Sequence, residues 1–179
     1  MEQRVITPLA ASYPELGRWL WALEDTRVRT KEALAGLDQA ALDWTGPGVE
    51  NSIGSLLYHI ALIESDYIYG DILGVEYPAW LDEPEAFATP DRDADGHLSV
   101  VSGVSLADHL ARLDRVRHDL LRLVSQLTEE QMVTPRPLPE WNYEISPAWA
   151  LHHLMQHEAE HRGQIAAIRA LQEAGAVQG

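Results

Sequence analysis

Four of the eight histidines in this 179-residue chain, His152, His153, His157 and His161, fall within ten residues near the C-terminus. Residues four apart on an α-helix share a face, with Cβ atoms roughly 5–6 Å apart. His153, His157 and His161 therefore form a ladder, and either adjacent pair can reach one ion. Neutral imidazole is the commonest protein ligand for zinc, nickel and related divalent ions. The chemistry these residues point to is metal binding on a helix face. Far upstream, His59 lies among the apolar residues Leu56, Ile60 and Ile63. A solitary core histidine is ordinarily a satisfied hydrogen-bonding group, but beside a ladder that needs a further ligand it becomes the candidate partner.

The same stretch, His157-Glu158-Ala159-Glu160-His161, matches H-E-x-x-H, in which the glutamate acts as general base on a zinc-bound water. The surroundings argue against that reading. A glycine at position 164 and a histidine at 167 would continue one version of the motif, and the chain has Gln164 and Ala167. A second acidic motif, Asp91-Arg92-Asp93-Ala94-Asp95-Gly96, has the spacing that opens an EF-hand loop. The glutamate that completes such a loop would be residue 102, which is Ser102, so a solvated acidic loop is expected instead.

These side chains need a scaffold, and the pattern of apolar residues supplies one that is entirely helical. Helix one is expected to start at Ser12 as N-cap, with Pro14 in the first turn, and to run to about residue 36 through Leu16, Trp19, Leu20, Leu23 and Arg27. Residues 38–50, with Gly46-Pro47-Gly48, form a connector that cannot stay helical. Ser52 caps helix two, which carries His59 and ends around Gly70 to Gly74. Residues 75–104 break the pattern with three prolines and a cluster of acids. Helix three starts at Ser105 and carries its apolar face on Leu106, Leu110, Leu113, Val116 and Leu120, with His109 and His118 expected at the surface. Thr128 starts one extra turn before the proline-rich, aromatic loop 134–141. Ser146-Pro147 then opens helix four, which runs through the ladder to Leu171 with Gly175 as a natural stop. No segment reads as a strand. Four long helices imply an all-α, antiparallel four-helix bundle occupying 1–179 as a single domain, in which metal sites form between facing helices.

Composition sets limits on function. The net charge of -15 disfavours phosphate backbones and anionic lipid, so no nucleic-acid or membrane partner is expected. There is no cysteine, which excludes thiolate ligands and a cysteine nucleophile. No apolar run approaches the roughly 20 residues of a membrane span, and a soluble, cytoplasmic protein is expected.

Two motifs carry a resemblance. Asn51-Ser-Ile-Gly-Ser-Leu-Leu-Tyr-His59 with Glu64 five residues on, and His157-Glu-x-x-His161-Arg-Gly-Gln164, resemble the DinB/YfiT-like family of metal-dependent bundles in content, order and separation. The resemblance implies a four-helix bundle that binds one divalent metal, zinc or nickel, through His59, His157 and His161. His153 is then an extra, either supporting the ligands, orienting water or serving the helix alone. Three histidines leave coordination positions open, as suits a catalytic site. The better-understood family members transfer low-molecular-weight thiols such as bacillithiol or mycothiol to electrophiles, so small-molecule thiol and electrophile partners are implied. The alternatives are a hydrolase using metal-bound water and a non-catalytic, stress-induced metal-binding bundle. Arg162, Arg136, Trp141 and Tyr143 are the candidates for a cosubstrate pocket, although Arg162 also stands four residues from Glu158 and is placed to pair with it on an exposed face. A homodimer is implied by the family and by Trp19 and Trp21, which point to different sides of helix one.

Overall fold

The computed structural model describes residues 3–139 and 142–177. Four long helices build the all-α bundle: α1 (Pro14–Ala33), α3 (Ile53–Asp66), α5 (Leu106–Val124) and α7 (Pro147–Val177). Shorter helices, α2 (Gln39–Asp43), α4 (Pro84–Phe87) and α6 (Glu129–Val133), sit in the connections. α1 packs on α7, and α3 lies between α5 and α7. The most apolar of the long helices is therefore the central one. Ile53, Leu56, Leu57, Ile60 and Ala61 of α3 are all buried, as expected where a helix has neighbours on several sides.

The caps explain most of the boundaries. Ser52 Oγ accepts from Ser55 N (3.1 Å) and Ser105 Oγ from Asp108 N (3.1 Å). Ser146 does the same for Trp149 N at 3.3 Å. Thr128 and Gln131 complete a reciprocal capping box at α6. Other expectations are corrected. The N-cap of α1 is Tyr13 rather than Ser12. Ser12 instead bonds Leu127 O through its hydroxyl and Ser125 O through its backbone N–H, tying the lead-in to the end of α5. The 38–50 connector does hold a helical turn, because Asp38 caps α2 through Ala41 N. Gly175 does not end α7.

Two departures shape the site. Beyond Asp66 the central helix widens into a π-helical segment, Tyr67–Leu73, which ends at Gly74 in the left-handed conformation (φ 60°). The expectation of no strand also fails. β1 (Arg136–Leu138) and β2 (Tyr143–Ile145) pair antiparallel with Arg136 opposite Ile145. Strands of three residues, one containing Pro137, are too short to show a period of two. Asn142 turns the chain between them at φ 56°, a conformation asparagine tolerates better than most residues.

The bundle's core also contains charge. Arg27 on α1, Glu64 on α3, Arg117 on α5 and Glu158 on α7 are all at most 3 % exposed. Arg27 reaches Glu158 through Nε (2.8 Å) and Glu64 through Nη2 (2.6 Å). Arg117 pairs with Glu64 (2.6 Å) and Glu158 (3.0 Å). The spare donors go to backbone carbonyls across the bundle, Arg27 Nη1 to Leu113 O and Arg117 Nη1 to Leu23 O. Two cations and two anions, each multiply bonded, meet the condition under which buried charge is tolerated.

Candidate metal centre

The histidines lie where α3 and α7 face one another. His59 is buried on α3, while His157 and His161 stand one turn apart on α7 and are partly exposed. Their Nε2 atoms converge. His157 Nε2 is 3.0 Å from His59 Nε2 and 3.1 Å from His161 Nε2. One ring nitrogen from each residue falls within 4.8 Å of the others, a grouping able to hold a metal ion.

Bonds on the outer sides of the rings fix which nitrogen carries the proton. Asp91 Oδ1 lies 2.5 Å from His59 Nδ1. An ionised carboxylate only accepts, so Nδ1 donates and Nε2 presents its lone pair inward. His161 Nδ1 likewise donates to Gln164 Oε1 at 2.9 Å. Two lone pairs therefore converge on His157 Nε2, and one proton there serves only one neighbour. A cation serves all three. Nitrogens sharing a tetrahedral zinc at about 2.0–2.1 Å stand about 3.3 Å apart, close to the spacings found. The residues fit a divalent ion held by three imidazoles, with outer partners of the kind that orient metal-bound histidines.

Burial, with the neighbouring His161 and His59, pushes His157 down to about 3. Burial also lowers His161 and His153. These rings are therefore neutral at physiological pH, the form that ligates. The centre opens on a cavity of about 810 Å³ walled by Ile63 and Tyr67 of the central helix, Leu138 and Tyr143 of the hairpin, and Arg92.

The ladder's remaining members have other places. His153 is outside the converging trio and is sandwiched between rings, stacked on Trp149 (5.2 Å between centroids, 5°) and on Tyr67 (5.0 Å, 22°), where it walls the cavity. His118 is at the surface as expected. His109 is not: it is 1 % exposed, with Arg112 Nη1 3.3 Å from its Nδ1. Its helical position beside Arg112 suggested a solvated face, but Arg112 is itself drawn inward to Ala86 O and Glu85 O.

Glu158 is turned about 100° around α7 from His157 and is occupied by Arg27 and Arg117. It does not serve as a base at the histidines, and it is not an exposed partner of Arg162, which donates to Thr26 O instead. Among the cosubstrate candidates, Tyr143 lines the cavity, Arg136 bonds Ile72 O, and Trp141 lies outside the described residues. Asp91 was missed as a site residue. It sits 32 positions from His59 in the loop expected to be solvated, and nothing in local spacing marks it. The other acids of the EF-hand-like run make a plain turn, Asp93 Oδ1 accepting from Asp95 N and His97 N.

No helix among the described residues is long and apolar enough to cross a membrane. Among curated proteins none matches this chain in sequence. A solved structure, described as a conserved protein from Enterococcus faecalis, superposes with a TM-score of 0.69 at 21 % identity, covering 86 % of this chain and 94 % of that one. At that identity the likeness speaks for the fold. The sequence profile of the DinB superfamily matches residues 22–165, which include all three converging histidines and the whole of the bundle's central helix. The chain belongs to the DinB superfamily.

Proposed function

We propose that His59, His157 and His161 ligate one divalent ion, zinc or nickel, and that the protein uses it to transfer a low-molecular-weight thiol of the bacillithiol type to electrophiles. The observation that carries the reading is a trio of converging Nε2 atoms opening on a cavity of about 810 Å³, in a chain with no cysteine of its own. Such an ion, when bound, supplies Lewis acidity that favours the thiolate over the thiol. The protein's own contribution is placement. Asp91 and Gln164 hold two rings in the ligating tautomer, and the bundle keeps the third between them. Tyr67, His153 and Tyr143 give the electrophile an aromatic wall on which to lie. In the overall reaction a sulfur–carbon bond forms, the carbon–leaving-group bond breaks, and the thiol proton leaves to solvent.

The test is turnover of metal-loaded protein with monochlorobimane and a low-molecular-weight thiol. The reading predicts conjugate formation above the uncatalysed rate that needs both metal and thiol and is lost in His157→Ala. Thiol-independent hydrolysis of ester substrates would support the hydrolase alternative. Tight metal binding with neither activity would support a non-catalytic bundle. A homodimer belongs to the same proposal. Trp21 shares a surface cleft with Val5, Ile6 and Val28, three exposed apolar residues that suit an interface. Sedimentation equilibrium showing a dimer in the wild type and a monomer in Val28→Glu would support it.

A further inference from the structure

The cavity's far end has a chemistry of its own. Asp66 lies seven residues beyond His59, about 10 Å along the helix axis, and Asp71 follows on the π-helical segment. Both line the cavity together with Tyr67, Tyr77 and Tyr143. At Gly70 a Cβ would stand 3.1 Å from Tyr77 Oη, so the absence of a side chain lets the phenol lie against the helix and bond Asp66. Burial, and then the like charges of Asp91 and Asp71, hold the Asp66 carboxyl up at about 6 against the opposing bond from Tyr77. Arg92, the cationic side chain lining the cavity, is already engaged by Asp91 Oδ2 (3.3 Å) and Gly96 O (2.9 Å). Arg136 acts on Asp71 rather than on Asp66.

Carboxylates lining a cavity beside tyrosine side chains favour an organic cation through Coulomb attraction and disfavour a carboxylate. An ion at the histidines acts on this end from about 10 Å along the helix axis, and the carboxylate of Asp91 beside His59 offsets part of its charge. We infer that the cavity selects metal-binding small molecules whose tail carries an ammonium group, placed between Asp66 and the tyrosines while the head reaches the histidines. The inference rests on the proposed function for its thiol head and narrows the class of thiol. Amine-tailed thiols are preferred over carboxylate-tailed ones, and bacillithiol itself, which carries carboxylates, is expected to bind more weakly than an amine-tailed thiol.

The test uses cobalt-loaded protein and three thiols of equal length: 6-aminohexane-1-thiol, 6-mercaptohexan-1-ol and 6-mercaptohexanoate. Binding is read from the metal-to-thiolate charge-transfer absorption, which does not depend on turnover. The amine is expected to bind about 10-fold tighter than the alcohol, with the carboxylate weakest. Asp66→Asn is expected to bring amine and alcohol to within about 2-fold, chiefly by weakening the amine, with metal content unchanged. Equal binding of all three tails, or tightest binding of the carboxylate, overturns the inference. If no thiol gives the absorption, the thiol reading fails while the tail selection is still decided, by the same ranking with hydroxamate heads in place of the thiols. Equal hydroxamate binding overturns it, and an unchanged amine preference in Asp66→Asn removes Asp66 from the account.

Discussion

Asp91 and Glu158 divide the work of charge at the level of single residues. Asp91 comes from a loop to hold His59 by Nδ1, so its loss loosens a proposed ligand without opening the core. Asp91→Asn is expected to weaken metal binding about 10- to 100-fold with helical content unchanged, as measured by competition against a chromophoric chelator and by circular dichroism. Glu158 stands next to a proposed ligand but belongs to the buried lattice with Arg27 and Arg117. Burial alone would raise its carboxyl, and the two guanidiniums more than reverse that. Removing one partner of a buried pair costs about 3–5 kcal/mol, so Glu158→Ala should lower unfolding stability by that order in urea titration. Folded Glu158→Ala that has lost its metal at full stability would contradict this separation of lattice from metal site. The ladder of His153, His157 and His161 was readable from spacing, since helical geometry makes i and i+4 neighbours, but the choice of the last two came from the family resemblance. Asp91 was not, because a contact across a loop leaves no period. The lattice was half visible: Arg27 kept step with the apolar stripe of α1, and Glu64 accompanied the His59 motif, but their pairing depends on how four helices are turned.

Among elements, the helices were legible through Ser52, Ser105, Thr128 and Ser146, whose caps act within three residues of sequence. The π-helical segment and the hairpin were not. The widening at Tyr67–Leu73 and the pairing of Arg136–Leu138 with Tyr143–Ile145 depend on tertiary packing, and both wall the cavity. α5 also brings a buried titration with it. His109 is pushed down to about 4 by burial and then by Arg112. Folded protein thus keeps this ring neutral where the unfolded chain, near 6.5, takes up a proton. The unfolded state binds more protons between about pH 4 and 6.5, so stability is full above that window and falls as pH falls through it. Glu158, with its lowered carboxyl, adds to the loss at still lower pH. Asp66, held up at about 6, opposes this fall and His157, pushed down to about 3, adds to it. The contribution of His109 is therefore read as a difference: urea midpoints from pH 7 to pH 4.5 should fall less, or rise more, in His109→Gln than in the wild type. The same pH dependence in His109→Gln as in the wild type would contradict the buried, neutral assignment.

At the scale of the whole molecule, a leucine-rich bundle locked by a buried lattice of paired charges presents an open histidine trio at the junction of α3 and α7. The lattice and the trio occupy different faces of α7, so folding and metal binding are separable. That separation makes a single measurement decisive: elemental analysis of untagged protein, purified without chelator, beside the His59→Ala variant. About one zinc or nickel per chain, lost in a variant that remains helical, is the predicted result. Full retention of metal in His59→Ala, or none in the wild type after reconstitution, would contradict the three-histidine centre.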